Sequence, residues 1–380
     1  MYSPHESIPE YGEQPAESAE AVSEIEEARA VVSTNNFEEA LVLLEKAGLL
    51  AGQVSRIKER CESILSKNLS LRLSDWEMLT VLELYDVDTF EHSLRVHEAA
   101  VTALERPLTL DNGAPFHLHE YLAEEGVTKH DFIYAALFHD IGKTMIPYCI
   151  LKDTTTKEEF DRCFCDYATQ EGEEWLRAVG IDSATDATTA LEELYTQHRR
   201  PIDVLPLQKV LKAEVFATVQ NTYPYLNISD KTTFREVMML HEKESERILR
   251  KCDQEVSATI AGQHHNYARL PLVYPRSTST LRLARVNAHS KLSDILHIVD
   301  VSDAIKNTRS YKNAQSDYLV LHELIVDTNA GAIDPRIAHA WVRAEYENIV
   351  VNHTEILPPE DLAVVNEFLS TPVEEDRVVV

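Results

Sequence analysis

Helical periodicity is the feature of this sequence that most restricts its fold. From about residue 70 onward, one segment after another places apolar residues three and four positions apart, which is the spacing of one face of an α-helix. Only 10 glycines occur in 380 residues, and the regular alternation of a β-strand does not persist in any segment. Neither common type of glycine-rich phosphate loop is present. The sequence therefore predicts an all-α fold.

Composition and periodicity divide the chain into four regions. Residues 1–21 form an acidic tail rich in Glu, Pro and Ser, which we expect to be disordered. Residues 22–68 predict a helical N-terminal appendage, in which Gly48 is placed to end a helix. The main helical domain covers 70–352, and a C-terminal helix and tail cover 353–380.

Charge and composition exclude several classes of function. The formal net charge of -28 argues against binding to extended nucleic acid or to a membrane surface, although it is compatible with a small phosphorylated substrate. No apolar run approaches the roughly 20 residues of a membrane span, and the N-terminus lacks the pattern of a signal peptide. The five cysteines are few and odd in number, which is typical of reduced thiols. We therefore expect a cytoplasmic protein.

Histidines and aspartates recur where apolar helices begin or end. Asp88 and His92 are four residues apart and share one face of a helix, and His139 and Asp140 follow the apolar stretch FIYAALF. Four further candidates lie in or beside helical segments: His241, His264, His265 and Asp300. A lone histidine on a helix is more often part of the core than a ligand. Burying several aspartates without a cation is costly, however, so the pattern favours a shared metal centre. Mixed imidazole and carboxylate ligands suit iron or manganese.

The order of these residues resembles that of the HD superfamily of metal-dependent phosphohydrolases. More of the chain is similar to one branch, the HD-GYP cyclic di-GMP phosphodiesterases. The similar segments, which follow the family order and cover most of 80–345, are DVDTFEHSLRV, HDIGKTMIPYCIL, TTFREVMMLHEKESERIL, the paired histidines HH, HIVDVSDAIKNTRSYKNA and AGAIDPRIAHAW. The resemblance implies an HD-domain helical bundle and hydrolysis of cyclic di-GMP by a metal-activated hydroxide.

The same resemblance implies roles for individual residues. Asp140 would bridge two divalent ions, and Lys143 would face the scissile phosphate. Arg309 and Lys312 would contact the phosphates or guanine of the substrate, although cations at helix ends are more often simply solvated. Asp88 stands where some members have a glutamate that helps to bind a third ion, and it is shorter. The implied metal ligands are Asp88, His92, His139, Asp140, His241, His264, His265 and Asp300.

Two departures from the family pattern affect the substrate prediction. The segment after the paired histidines reads HHNYARLPLVYP, so the glycines and acids that give the family its name are missing, although Tyr274 and Pro275 echo its Tyr-Pro. Glycines there permit tight turns and close backbone approach, so the loop beside the substrate must differ. The second departure is an insertion at about 154–230, which could form a lid, a dimer arm or a partner surface.

These departures leave three functional hypotheses open. The first is a cyclic di-GMP phosphodiesterase, and the second is an HD phosphohydrolase that acts on another nucleotide or phosphoester. The third is a catalytically weak, metal-containing signalling module. A protein partner bound through the N-terminal helices or the insertion, and a homodimer, are compatible with each hypothesis.

Overall fold

The fold is built almost entirely from helices. The computed structural model describes residues 19–65, 69–110, 113–151, 162–163, 206–265, 267–268, 284–285, 291–307, 317–329, 333–352 and 358–371. The helices of the first half are α1 (Ala19–Thr34), α2 (Phe37–Lys46), α3 (Leu50–Cys61), α4 (Leu73–Tyr85), α5 (Val87–Glu105), α6 (Leu118–Glu124), α7 (Lys129–Phe138), a 3₁₀ helix (Ile141–Met145) and α8 (Tyr148–Leu151). The helices of the second half are α9 (Leu207–Val210), α10 (Ala213–Thr222), a 3₁₀ turn (Pro224–Leu226), α11 (Phe234–Lys251), α12 (Glu255–Ala261), α13 (Lys291–Lys306), α14 (Asp317–Asn329), α15 (Pro335–Asn352) and α16 (Pro359–Ser370).

Strands are confined, within these residues, to two antiparallel pairs of two residues each. Strand β1 (Leu108–Thr109) pairs with β2 (Pro115–Phe116), and β3 (Tyr267–Ala268) pairs with β4 (Ala284–Arg285). The predicted all-α class is confirmed. None of the helices in the described part of the chain combines the length and apolar character that a membrane span requires.

Helix α2 of the N-terminal region begins and ends where local chemistry predicts. Helix α2 starts after Asn36, whose side chain accepts a hydrogen bond from the backbone N–H of Glu39 at 3.1 Å. It ends at Lys46, and Gly48 follows in the left-handed region with φ +74°. The N–H of Gly48 bonds to the carbonyl of Glu45 at 3.0 Å, which satisfies one of the last carbonyls of the helix. Gly48 therefore ends the helix, as predicted.

One hydrophobic core joins the N-terminal helices to the helices that carry the histidines. Leu44 and Ile57 from α2 and α3 lie in it with Leu82, Phe90 and Phe138, and all five side chains are inaccessible to solvent. Complete burial of such a side chain contributes about 1.5–3 kcal/mol of stability. The N-terminal helices are thus packed against the helices that position the site.

A second core covers the other side of α7. Phe132 of α7 packs there with Leu296 of α13, Leu321 of α14 and Val342 of α15. Because α7 is enclosed between two cores, every side chain from Phe132 to Phe138 is buried, and this part of the helix has no solvent-facing side. This position places the residues that follow α7, His139 and Asp140, deep inside the protein.

The described part of the predicted insertion packs beside the turn that follows α7. Leu207 and Phe216, from α9 and α10, form a third core with Ile146, Ile150 and Val237. The remainder of the insertion, apart from residues 162–163, lies outside the described residues, as do Tyr274 and Pro275.

A buried carboxylate ties the N-terminal helices to α4. The side chain of Glu83 is 3% exposed and accepts hydrogen bonds from Arg56 Nη2 at 2.7 Å and Arg60 Nη1 at 3.3 Å. Arg29 of α1 adds a third guanidinium at 3.7 Å. Glu83 thus joins three helices through charge-assisted contacts.

We predict that Glu83→Ala lowers the free energy of unfolding by about 2 kcal/mol, because three guanidinium groups lose their shared acceptor. Urea denaturation followed by circular dichroism measures this change. Glu62→Ala, which removes an exposed carboxylate at the end of α3, is the control and should change stability by less than about 0.5 kcal/mol. Equal effects of the two substitutions would contradict the prediction.

A second prediction concerns His97, which is fully buried on α5. Burial lowers the pKa of its imidazole from 6.5 to about 4. The unfolded chain therefore binds this proton first, and the stability that neutral His97 contributes is lost as the pH falls from about 6.5 toward 4. Relative to His97→Leu, wild-type stability should fall by about 3 kcal/mol over that interval. Urea denaturation of both proteins at several pH values tests this, and parallel pH profiles would exclude it.

Candidate metal centre

Three histidines at the centre are oriented by the same kind of local hydrogen bond. In each, the ring Nδ1–H donates to the backbone carbonyl three residues earlier, so the proton resides on Nδ1 and the lone pair on Nε2. The pairs are His139 with Ala136 at 2.9 Å, His241 with Met238 at 2.5 Å, and His264 with Ala261 at 2.6 Å. Because each bond is made within its own helix or helix end, the direction of each Nε2 follows from local backbone geometry.

His92 is oriented by a carboxylate from a distant helix. Its Nδ1–H donates to Asp303 Oδ2 at 2.6 Å, and Arg95 Nε donates to Asp303 Oδ1 at 2.9 Å. A carboxylate bonded to the far nitrogen of a histidine holds the ring and raises its basicity as a metal ligand. Asp303 lies one helical turn after Asp300, on the same face of the helix, but its position in the sequence alone indicates no role for it.

Asp140 lies in the middle of these histidines. Its Oδ1 is 3.4 Å from His241 Nε2 and 3.9 Å from His264 Nε2. Its Oδ2 is 3.5 Å from His139 Nε2, 3.7 Å from His92 Nε2 and 2.5 Å from Lys143 Nζ. Burial alone would raise the pKa of Asp140, but Lys143 and the histidines hold it well below its usual value. The carboxylate is therefore ionised.

Asp300 supplies a second carboxylate, which faces the same Nε2 atoms of His92 and His139 as Asp140 does. Its Oδ1 is 2.8 Å from His92 Nε2 and 3.8 Å from His139 Nε2, and its Oδ2 is 3.6 Å from His265 Nε2. Burial would raise its pKa, and the neighbouring imidazoles of His139 and His92 hold it well below the usual range. Two ionised carboxylates thus face one set of imidazoles.

Burial is the main influence on the pKa values of His241, His264 and His265. It lowers the pKa of His264 from 6.5 to about 3, and it lowers that of His265 well below its usual value. The pKa of His241 is also lowered, chiefly by burial. His139 differs, because Asp140 and Asp300 outweigh burial and raise its pKa. Neutral imidazole is the form that binds a metal.

The donor atoms of the site fit a metal ion. Within the described residues, the Nε2 atoms of His139, His241 and His264 and the Oδ1 of Asp140 are buried and have no hydrogen-bond partner. Ligand atoms lie within 4.8 Å of one another in three groups: His241 with His264 and His265, His92 with His139 and Asp140, and His139 with His264 and Asp300. Ligands at about 2.0–2.2 Å from a shared ion are at most about 4.4 Å apart, close to this spacing. These groups could hold a metal ion.

The structure brings most of the predicted site residues together. His92, His139, Asp140, Lys143, His241, His264, His265 and Asp300 converge. Asp88 is half-buried one turn before His92 and belongs to none of the ligand groups formed by the described residues. Arg309 and Lys312 lie outside the described residues.

Glu242 is a buried residue of the site that the sequence did not indicate. Its Oε1 accepts a hydrogen bond from the backbone N–H of His265 at 2.6 Å, and burial raises its pKa to about 7. It thereby connects α11 to the backbone of the histidine pair. In the sequence, Glu242 lies in the charged segment HEKE, which is typical of a solvent-exposed helix face. Only its contact with His265 in the structure indicates that it belongs to the site.

No protein-family model, curated protein or solved structure matches this chain. The resemblance to the HD-GYP family therefore remains a prediction from the sequence segments.

We predict that Asp303→Asn lowers divalent-metal affinity about 10- to 100-fold, because the carboxylate that orients His92 is lost. Isothermal titration with Mn²⁺ measures the affinity. Asp327→Asn is the matched control, because Asp327 is a buried carboxylate that bonds to His297 Nε2 at 3.0 Å, and neither residue belongs to the ligand groups above. Unchanged affinity in Asp303→Asn would show that His92 does not depend on this carboxylate.

Proposed function

We propose that this chain is a metal-dependent phosphodiesterase of the HD-GYP type that hydrolyses a cyclic dinucleotide, cyclic di-GMP. The observation that carries the proposal is the convergence of three buried Nε2 atoms with Asp140 Oδ1, none of them hydrogen-bonded within the described residues. Leaving such atoms without a partner costs about 1–3 kcal/mol each, a cost that bound cations would remove. The family-like order of the sequence segments is the second support.

Two divalent ions are the cofactors that this donor set favours. His92, His139, Asp140 and Asp300 would hold one part of the centre, and His241, His264 and His265 would complete the other. Mixed imidazole and carboxylate donors favour iron or manganese over a structural zinc. When bound, such ions supply Lewis acidity toward phosphoryl oxygens and lower the pKa of water. Asp88 would contribute to a third ion only if its shorter side chain reached the centre.

The residues of the chain supply the remaining chemistry. Lys143 holds its ammonium group 2.5 Å from Asp140 Oδ2, and its side chain is 14% exposed. A cation in this position neutralises charge that develops on a phosphoryl oxygen. His265 is 24% exposed and is the most accessible imidazole of the cluster, so we propose that substrate approaches on its side. Arg309 and Lys312 would then contact the phosphates or guanine.

A different phosphoester substrate is the second candidate. The segment that follows His265 lacks the glycines and acids of the family pattern, and this is where the substrate would lie. Loss of glycine restricts how closely a backbone can approach a ligand. A change in this segment can alter substrate choice while the metal ligands stay the same. It can also remove turnover, which would leave a metal-containing binding module.

The experiment that tests the proposal measures metal content and hydrolysis on the same protein. The full chain is loaded with Fe²⁺ or Mn²⁺ and assayed with cyclic di-GMP and a panel of nucleotides and phosphoesters. We expect bound metal and hydrolysis of cyclic di-GMP to the linear dinucleotide or GMP. Hydrolysis of another substrate alone would favour the second candidate, and metal without turnover would favour a binding module.

We predict that Asp140→Asn lowers kcat/KM by at least about 100-fold and reduces metal retention, because a neutral amide cannot replace a carboxylate among the ligands. Asp75→Asn is the matched control: Asp75 is equally buried but accepts its hydrogen bonds from Arg72 and Tyr134, away from the centre. It should affect thermal stability and leave metal content unchanged. Full activity in Asp140→Asn would falsify the proposed centre.

A further inference from the structure

The hydroxyl of Ser245 connects two segments that supply the centre. Ser245 lies on α11 four residues after His241, so the two side chains share one face of the helix. Its side chain is completely buried. The hydroxyl donates to the backbone carbonyl of His139 at 2.6 Å and accepts from the backbone N–H of Gly142 at 2.8 Å.

These two bonds close the turn that carries Asp140. Helix α7 ends at Phe138, and the chain then passes through His139 and Asp140 into the 3₁₀ helix that begins at Ile141. The carbonyl of His139, just before Asp140, and the N–H of Gly142, two residues after it, are both hydrogen-bonded to Ser245 Oγ. The turn is therefore attached to α11 on both sides of the aspartate.

Close backbone packing makes the attachment specific. A Cβ added to Gly142 would lie 2.0 Å from the carbonyl oxygen of His241 and 2.4 Å from the backbone nitrogen of Ser245. The glycine therefore permits the turn and α11 to approach until a short side chain can span them. A hydroxyl is the smallest group that both donates and accepts, and both bonds are made here.

The contact sets the distance between ligands from different elements. His241 Nε2 belongs to α11, and Asp140 Oδ1, 3.4 Å away, belongs to the turn. Apart from the packing of Gly142, the Ser245 bonds are the direct backbone attachment between these two ligand-bearing segments in the described residues. A shift of the turn along α11 would change this ligand distance without altering either residue.

We propose that Ser245 is a positioning residue of the centre, which holds the His139–Asp140 turn in register with His241 so that their ligand atoms converge on the metal centre. This inference rests on one part of the proposed function, namely that the centre binds metal, and it does not depend on the substrate. It adds a residue that touches neither metal nor substrate and that acts through backbone groups.

The experiment compares Ser245→Ala with Ser257→Ala in the full chain. Ser257 is the matched control, because it is equally buried and its hydroxyl donates to a backbone carbonyl, that of Asp131, at 2.9 Å. Co²⁺ alone is the probe, since its visible absorption reports the geometry of its ligands. Thermal unfolding followed by circular dichroism measures stability in parallel.

We expect Ser245→Ala to bind Co²⁺ about 10- to 100-fold more weakly, with an altered visible spectrum, while retaining its helical circular dichroism. Ser257→Ala should lose comparable thermal stability and keep the wild-type affinity and spectrum. Wild-type Co²⁺ affinity and spectrum in Ser245→Ala, or an equal loss in both variants, would overturn the inference and leave the proposed function intact.

If the centre binds no metal, the wild-type chain itself shows no Co²⁺ spectrum, and the inference is overturned together with the proposed function. If only the phosphodiesterase activity is absent, the wild-type Co²⁺ spectrum remains, and the comparison of the two variants still decides the inference. If Ser245→Ala does not fold, Ser245→Cys takes its place, since a thiol keeps the side-chain shape but bonds weakly. Weakened Co²⁺ binding in the folded Ser245→Cys protein supports the inference, and wild-type binding overturns it.

Discussion

The burial of the Asp140 carboxylate is the constraint on which the rest of the site depends. A carboxylate removed from water costs several kcal/mol unless cationic or hydrogen-bonding groups surround it. Here Lys143 and several imidazoles lie within 4 Å, and they hold its pKa low despite complete burial. Those groups come from separate helices, so α5, α11 and α12 must all meet at the turn after α7. The two hydrophobic cores on either side of α7 supply the packing that brings them there.

The surrounding bonds show how the centre is held in place. His139, His241 and His264 are oriented by carbonyls of their own chain segments, whereas His92 depends on Asp303 of a different helix. The first arrangement needs only local helix geometry. The second requires α5 and α13 to be packed correctly, which makes His92 the histidine most sensitive to tertiary structure. Preorganised donors of this kind reduce the cost of assembling a site when a ligand binds.

Much of the fold and of the candidate ligand set could be predicted because many of the signals were local. Helical spacing indicated the all-α class, and His139 and Asp140 stood out because charged and polar residues follow an apolar helix. Asp303, Glu242 and Ser245 could not be assigned in this way, since each sits at an ordinary position inside a helix. Their roles arise from partners 23 to 211 residues away in the chain. Asp88 shows the converse, because its spacing from His92 matched a ligand pattern but the ligand groups of the described residues form without it.

The sequence by itself determined the helical class, the end of α2 at Gly48 and the residue types that face the centre. These follow from periodicity, backbone conformation and the cost of burying charge, all of which act over a few residues. Only the tertiary structure decided which carboxylate orients His92 and how closely the turn at Gly142 approaches α11. Those features depend on the packing of helices distant in the chain, because a hydrogen bond between them exists only when both backbones are in place.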